Sequence, residues 1–275
     1  MSSSSSSSAL AIATRLHLGY ASHPPPNSQL VETLSSFARL ASTVGATHAV
    51  VAVDSEDKLE GYNLVNEVRQ VCNTLLDNET RVMIHVLPVT PWGKFIPALN
   101  AIVSWCARQN NTQYLLLVSA EVQMTSDAIN CLKSKMDIDT TLVVGAVLQG
   151  HQHYDTSDDV ELTGRTTPWN TLALWNLPKL ALTGFLLVSE GLHPDVDGKE
   201  GAAGVEEVCT IAMLQKILPN SAQAKLVSTP GVQWGQDFGD DEGRKEWHEK
   251  KMMSKVTRAK RQLDLMGLSG SCEHC

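Results

Sequence analysis

The chain has 275 residues, 43% of them hydrophobic, which suits one large α/β domain with a sizeable core. Its 22 basic and 30 acidic residues give a net charge of −8, against whole-surface attraction to nucleic acid or an anionic membrane. No apolar run reaches membrane-spanning length, and residues 9–20 are too short and polar for a secretory leader. Of six cysteines, Cys72, Cys106, Cys131 and Cys209 sit among apolar neighbours in helical patterns, as reduced core thiols do. A cytoplasmic location is therefore expected.

Residues 1–8 are a Ser-rich, low-complexity start, read as disordered. ALAIAT (9–14) is a short buried strand, and HPPPNS (23–28) is a loop whose last residues can cap a helix. Leu30, Leu34, Phe37, Ala41 and Val44 then keep helical spacing up to a stop at Gly45. HAVVAV (48–53) is a second strand, Leu64, Val68, Val71 and Leu75 a second helix face, and RVMIHVLPV (81–89) a third strand. PWGK breaks the chain before a third helix face of Phe95, Leu99, Ile102 and Cys106. YLLLVSAEVQM (114–124) is a buried strand that ends in Ser119-Ala120-Glu121, followed by a helix with Ile129, Leu132 and Met136. This β-α alternation predicts a mostly parallel central sheet with helices on both faces, and a ligand site at the strands' carboxyl ends. Asp54 and Glu121 both stand at such ends.

The second half is less regular. TLVVGAVLQG (141–150) is a strand, and residues 151–168 form a long polar loop. FLLVS (185–189) is strand-like, Val205, Val208, Ala212 and Gln215 begin a helix, and residues 224–234 are extended. Met252, Val256, Ala259, Leu263 and Met266 make the apolar stripe of a final helix over about 240–267. The expected domain runs over 9–268. CEHC at 272–275 belongs to a tail, 269–275, read as flexible, since only three zinc ligands lie there.

In this order of pieces the chain resembles the GT-A glycosyltransferases, the family 2-like ones in particular. Its segments VVAVDSED (50–57), GKFIPALNAI (93–102), YLLLVSAEVQMTSDAI (114–129) and GVEEVCTIAMLQKI (204–217) carry the resemblance, across roughly residues 9–235. It implies a nucleotide-diphospho-sugar transferase fold in a single GT-A-like domain, with a sugar passing from a nucleotide-sugar donor to an unknown acceptor. It assigns nucleotide contact to Asp54 and Ser55, phosphate contact to Lys94, and acceptor activation to Glu206 or Glu207. In the family, the strand before Glu121 ends in Asp-x-Asp, whose carboxylates hold Mg²⁺ or Mn²⁺ against the diphosphate. Here Ser119 replaces the first carboxylate and Glu121 the second, so the motif is degenerate and metal affinity is expected to fall. A metal-using transferase, a metal-independent one, and an inactive nucleotide- or partner-binding relative all remain open at this point.

Charge is concentrated near the end. Residues 244–261 hold eight Lys/Arg and two Glu, leaving 14 basic and 28 acidic residues elsewhere. In the transferase reading His248 completes a metal shell and Lys251 meets a phosphate. An anionic partner on this basic helix is the competing use.

Overall fold

The computed structural model describes residues 9–17, 23–56, 58–78, 82–154, 159–191, 203–234 and 242–275. The side chains of 76–78, 242–249 and 251 lie outside the description, His248 and Lys251 among them. Four strand–helix pairs come first: β1 (Ala9–Leu16) and α1 (Asn27–Thr43), β2 (His48–Asp54) and α2 (Leu64–Asn78), β3 (Ile84–Val89) and α3 (Ile96–Ala107). The fourth is β4 (Thr112–Val118) and α4 (Ser126–Ser134), with short β5 (Gln123–Met124) between them. Then follow β6 (Thr141–Ala146), β7 (Asp159–Glu161), β8 (Leu172–Asn176), α5 (Leu177–Leu180) and a 3-10 turn at Leu187–Glu190. The chain ends with α6 (Glu206–Ile217), β9 (Gln223–Val227), β10 (Val232–Gln233), α7 (Glu242–Met266) and β11 (Ser271–His274).

The expected α/β sandwich is present. Nine strands form one sheet in the order β3-β2-β1-β4-β8-β6-β9-β11-β7, and β5 pairs with β10 separately. Five of the eight neighbouring pairs in the large sheet are parallel, and only β8 and β7 run against their neighbours. The pleat sends alternate residues to opposite faces. Ala11, Ala13, Val50, Ala52, Leu115 and Leu117 join one layer, which takes Ile96 and Ile102 of α3 and Ile211 of α6. Leu10, Ile12, Val51, Val53, Leu116 and Val118 join the other, which takes Phe37 of α1, Val68 of α2 and Leu132 of α4.

α7 belongs to both layers. Met252 near its start packs in the second, while Ala259 and Leu263 pack in the first. The helix therefore passes from one face of the sheet to the other, and Lys255 and Arg258 lie on the stretch between.

Local signals were kept in most places. Gly45, at φ +66°, ends α1: its N–H reaches Ser42 O at 3.1 Å and the Ala46 N–H reaches Ala41 O at 3.0 Å, a glycine-based helix stop. Three expectations are corrected. No side chain caps α1; Pro26 occupies the cap position, and the Leu30 N–H bonds its carbonyl at 3.3 Å. FLLVS is not a strand: Phe185 is buried against Trp175 at a 5.3 Å ring separation, and the chain then coils into the 3-10 turn. The strand of that region is β8, inserted antiparallel between β4 and β6.

The third correction is the tail. Ser271–His274 is a strand, parallel to β9 and antiparallel to β7, with Cys272 and His274 buried. His274 accepts the Tyr154 N–H on Nδ1 at 3.0 Å, and its Nε2 lies 2.9 Å from Thr166 O, so a neutral ring ties the 151–168 loop to the sheet. Burial lowers its pKa, which favours that neutral form. No group of three metal-ligating side chains occurs here or elsewhere among the described residues.

Candidate functional site

A cleft of about 530 Å³ opens where β1 and β4 end. Each wall has a local cause. β4 loses its β8 partner after Val118; the Ser119 N–H bonds Thr171 O at 2.9 Å, and the Val122 N–H turns back to Ser119 O at 3.1 Å. This turn ends the strand and leaves Glu121 exposed at the cleft mouth. β1 ends by presenting Arg15 and His17. The Arg15 guanidinium lies 5.2 Å above the Phe95 ring and reaches Lys94 O at 3.4 Å, which fixes it beside the start of α3.

The inner end is formed by the start of α6. Val205 takes the left-handed conformation, φ +56° and ψ +43°, which costs a β-branched residue about 1–2 kcal/mol. The next two residues, Glu206 and Glu207, are buried at 8% and 6% exposure and line the cleft. The helix dipole favours acids in a first turn, but burying two side by side opposes it. Asn170 offsets part of that cost. Its backbone N–H donates to Glu207 Oε1 at 2.5 Å, and its side-chain Nδ2 lies 3.4 Å from Glu206 Oε1. Its Oδ1 accepts the Trp175 indole N–H at 3.0 Å. Burial first, and the negative charge of Glu206 second, push the Glu207 carboxyl up to about 8. Glu207 therefore holds its proton at neutral pH.

Cations close the remaining side. Lys255 places its ammonium 3.2 Å from the centroid of the Trp169 ring and attracts Glu207. Arg258 donates from Nη1 to Ala203 O and from Nε to Ser254 O at 3.1 Å, and faces Glu206. The spacing between α7 and the loop below is set by Gly164, where any Cβ would run into the Lys255 backbone carbonyl. Trp169 itself donates its indole N–H to Gly164 O at 2.8 Å and lies 3.7 Å from the His151 ring. Burial, with the Lys255 charge second, drives His151 down to about 3, so the ring is neutral there.

The residues singled out from sequence divide into two groups. Glu121, Glu206 and Glu207 meet in the cleft. Asp54 is at the carboxyl end of β2, next to β1, yet its carboxylate turns inward to an ion pair with Lys58 and to the Glu56 N–H at 3.0 Å. Ser55 bonds Thr90 through their hydroxyls. His17 stands between this group and the cleft; burial, then the Arg15 charge, lowers its pKa, while Asp54 acts in the opposite sense.

Lys94 is exposed and outside the cleft lining. The amides at the start of α3 already hold an anion. Glu190 accepts the N–H groups of Lys94 and Phe95 at 2.6 Å each, and that of Ile96. Asn100 is likewise a brace, exchanging hydrogen bonds with the Phe185 backbone at 2.7 and 2.9 Å. Trp175 is core, fully buried, and Trp169 is a wall of the cleft. Sequence reasoning missed Arg15, Lys255, Arg258 and Asn170 as cleft residues. For the α7 pair the signal was present: Lys251, Lys255, Arg258 and Gln262 repeat at helical spacing, one position before the apolar stripe.

A divalent ion fits this donor set poorly. Among the described residues, the β4 turn supplies one exposed carboxylate, the other two acids in the cleft are buried at α6, and three cations share the space.

The site and fold thus define a mixed α/β protein with a polar, charge-rich cleft at the carboxyl ends of its parallel strands. No protein-family model and no curated protein matches the chain. Among solved structures it is similar to 4-diphosphocytidyl-2C-methyl-D-erythritol synthase from Anaerococcus prevotii DSM 20548, with 8% identity and a TM-score of 0.44 over 89% of this chain and 96% of that one. It is similar also to M. tuberculosis glucosyl-3-phosphoglycerate synthase, with 9% identity and a TM-score of 0.40 over 86% and 75%. A mycobacterial protein gives 10% and 0.43 over 78% and 64%. Likeness at this level concerns the course of the chain and says nothing about the chemistry of the cleft. No helix among the described residues is long and apolar enough to cross a membrane.

Proposed function

We propose that this chain transfers a sugar from a nucleotide-sugar donor to a hydroxyl-bearing acceptor. The observation that carries the reading is the buried pair Glu206–Glu207 at the inner end of a cleft whose mouth holds Glu121, Arg15, Lys255 and Arg258. A carboxylate held beside a protonated one, out of bulk water, suits removal of a hydroxyl proton during attack. Glu206 takes the acceptor proton while the acceptor oxygen bonds to the anomeric carbon. The bond from that carbon to the diphosphate oxygen breaks, and the nucleoside diphosphate leaves with the bonding electrons. Glu207 keeps its proton and, through Asn170, fixes the orientation of Glu206.

The donor's diphosphate lies toward Arg15, Lys255 and Arg258, and Trp169 offers an aromatic wall to a ring. A divalent ion, if the donor brings one, would find Glu121 as its protein ligand and would neutralise phosphate charge there. A cavity of about 360 Å³ next door shares Leu16 and His17 with the cleft and can take the nucleoside.

The test incubates the protein with UDP-, GDP- and CDP-sugars and a mixed pool of hydroxyl acceptors, reading free nucleoside diphosphate release. Turnover of one donor, abolished in Glu206→Gln with donor binding retained, is the expected result. Donor binding without turnover in the unmodified protein would make the chain a non-catalytic nucleotide-binding relative. Binding of no donor by folded protein would overturn the proposal.

A further inference from the structure

The mismatch between the cleft and a divalent ion goes further than the proposed function, on which it rests. A hard cation such as Mg²⁺ is held by carboxylates together with substrate phosphates and waters, and prefers not to share a small space with fixed positive charge. Here the strand-end turn carries Ser119 and a single carboxylate, Glu121. Among the described residues, no three His, Cys, Asp or Glu side chains converge. The remaining acids of the cleft are engaged: Glu207 with the Asn170 backbone, and Glu206 with the Asn170 amide and the field of Arg258.

The positive groups are better placed than in a solvated helix face. Arg258 is braced by Ala203 O and Ser254 O, Lys255 by the Trp169 ring, and Arg15 by Phe95 and the carbonyl of Lys94. They come from two separate elements, β1 and α7, and meet at one cavity. Cations fixed by their own scaffold at a cavity that also holds a carboxylate pair have the charge to receive a bridging dianion. Guanidinium groups bind phosphate oxygens in a bidentate way that an ammonium or a hydrated ion does not reproduce.

We infer that the cleft binds the diphosphate of a nucleotide directly through Arg15, Lys255 and Arg258, with no divalent ion between. The lack of the first strand-end carboxylate is then matched to these cations: an Asp at position 119 would add a negative charge where phosphate must lie.

Calorimetry of the full chain with UDP, GDP and CDP, in EDTA and again in Mn²⁺, tests this. One nucleotide should bind in EDTA, with affinity unchanged by Mn²⁺ and falling as salt rises. Lys255→Gln and Arg258→Lys should each weaken it about tenfold or more, the scale of one charge-assisted contact. Arg258→Lys keeps the charge, so its loss reports the guanidinium geometry, and matching melting temperatures show that the variants fold. Binding only in Mn²⁺ would overturn the inference and leave the transferase reading standing. Binding in EDTA that is indifferent to both substitutions would overturn it as well. No nucleotide binding in either buffer would remove the reading of the cleft itself.

Discussion

Glu207→Gln removes one titration while keeping the side chain's size and an oxygen for the Asn170 N–H. In the unmodified chain, burial and Glu206 raise the Glu207 carboxyl from 4.5 to about 8. Between those values the folded chain holds a proton that the unfolded chain has released. The unfolded state binds fewer protons, so stability falls as pH rises through this window. Below the lower value both states are protonated and the contribution is fully present; above the upper one it is lost. The raise spans about 3.5 units, and at about 1.4 kcal/mol per unit the full loss is on the order of 5 kcal/mol. Relaxation and water entry reduce this to roughly 2–5 kcal/mol. The glutamine variant escapes the loss. Its stability relative to the unmodified chain should rise by that amount between pH 5 and pH 8, roughly 5–10 °C in melting temperature for a domain of this size. Urea unfolding followed by tryptophan fluorescence at several pH values measures the difference directly. Glu206→Gln, which removes the neighbouring negative charge, should flatten the dependence in part. A difference between Glu207→Gln and the unmodified chain that stays constant with pH would refute the raised Glu207 carboxyl.

Three further outcomes follow from the contacts. Glu190→Gln removes the charged acceptor from the start of α3 and should lower stability by about 1–2 kcal/mol, seen as a lower urea midpoint; an unchanged midpoint would mean those amides are satisfied without it. Deleting residues 270–275 takes away β11 with buried Cys272 and His274. It should cost about 3 kcal/mol or more in thermal or urea unfolding, whereas a flexible tail predicts no change. Asn170→Ala keeps the backbone N–H that bonds Glu207 but leaves the Trp175 indole N–H and Glu206 short of a partner. It should destabilise by about 1–3 kcal/mol, read by the same unfolding series, with the pH dependence of Glu207 kept.

The first half of the fold was legible because its signals are local. Buried apolar runs alternate with 3.6-period faces, and Gly45 supplies the left-handed stop that α1 needs. β8 and β11 were not legible for a common reason: their state is decided by partners far away in sequence. LALWN becomes a central strand because β4 and β6 flank it, and the polar SCEH is held between β9 and β7. FLLVS has strand-like composition, but Phe185 packs on Trp175 and the chain coils into a 3-10 turn whose Glu190 holds the start of α3.

The site followed the same division. Glu121 was identified from its place after a strand, and Glu206 and Glu207 through the resemblance to GT-A enzymes; the three line one cleft. Asp54 was identified by the same strand-end logic. There the competing signal was also local, since Lys58 is four residues on and holds the carboxylate. For the start of α3 the occupant, Glu190, is 94 residues beyond Ile96, and no periodicity connects them.

The acid pair bears most directly on why this cleft exists. Glutamine at position 207 would keep the Asn170 hydrogen bond and avoid a raised carboxyl, so neither packing nor helix capping requires two acids there. Strain at Val205 adds to the cost at the same spot. A fold under selection for stability alone would shed these features at modest sequence change, and a site that must move a proton would keep them. The two demands separate in one variant: Glu206→Gln, which removes the charge that helps raise Glu207, should be the more stable protein at pH 8 and should lose donor turnover. Glu206→Gln with both higher stability and full donor turnover would place the chemistry elsewhere than at α6.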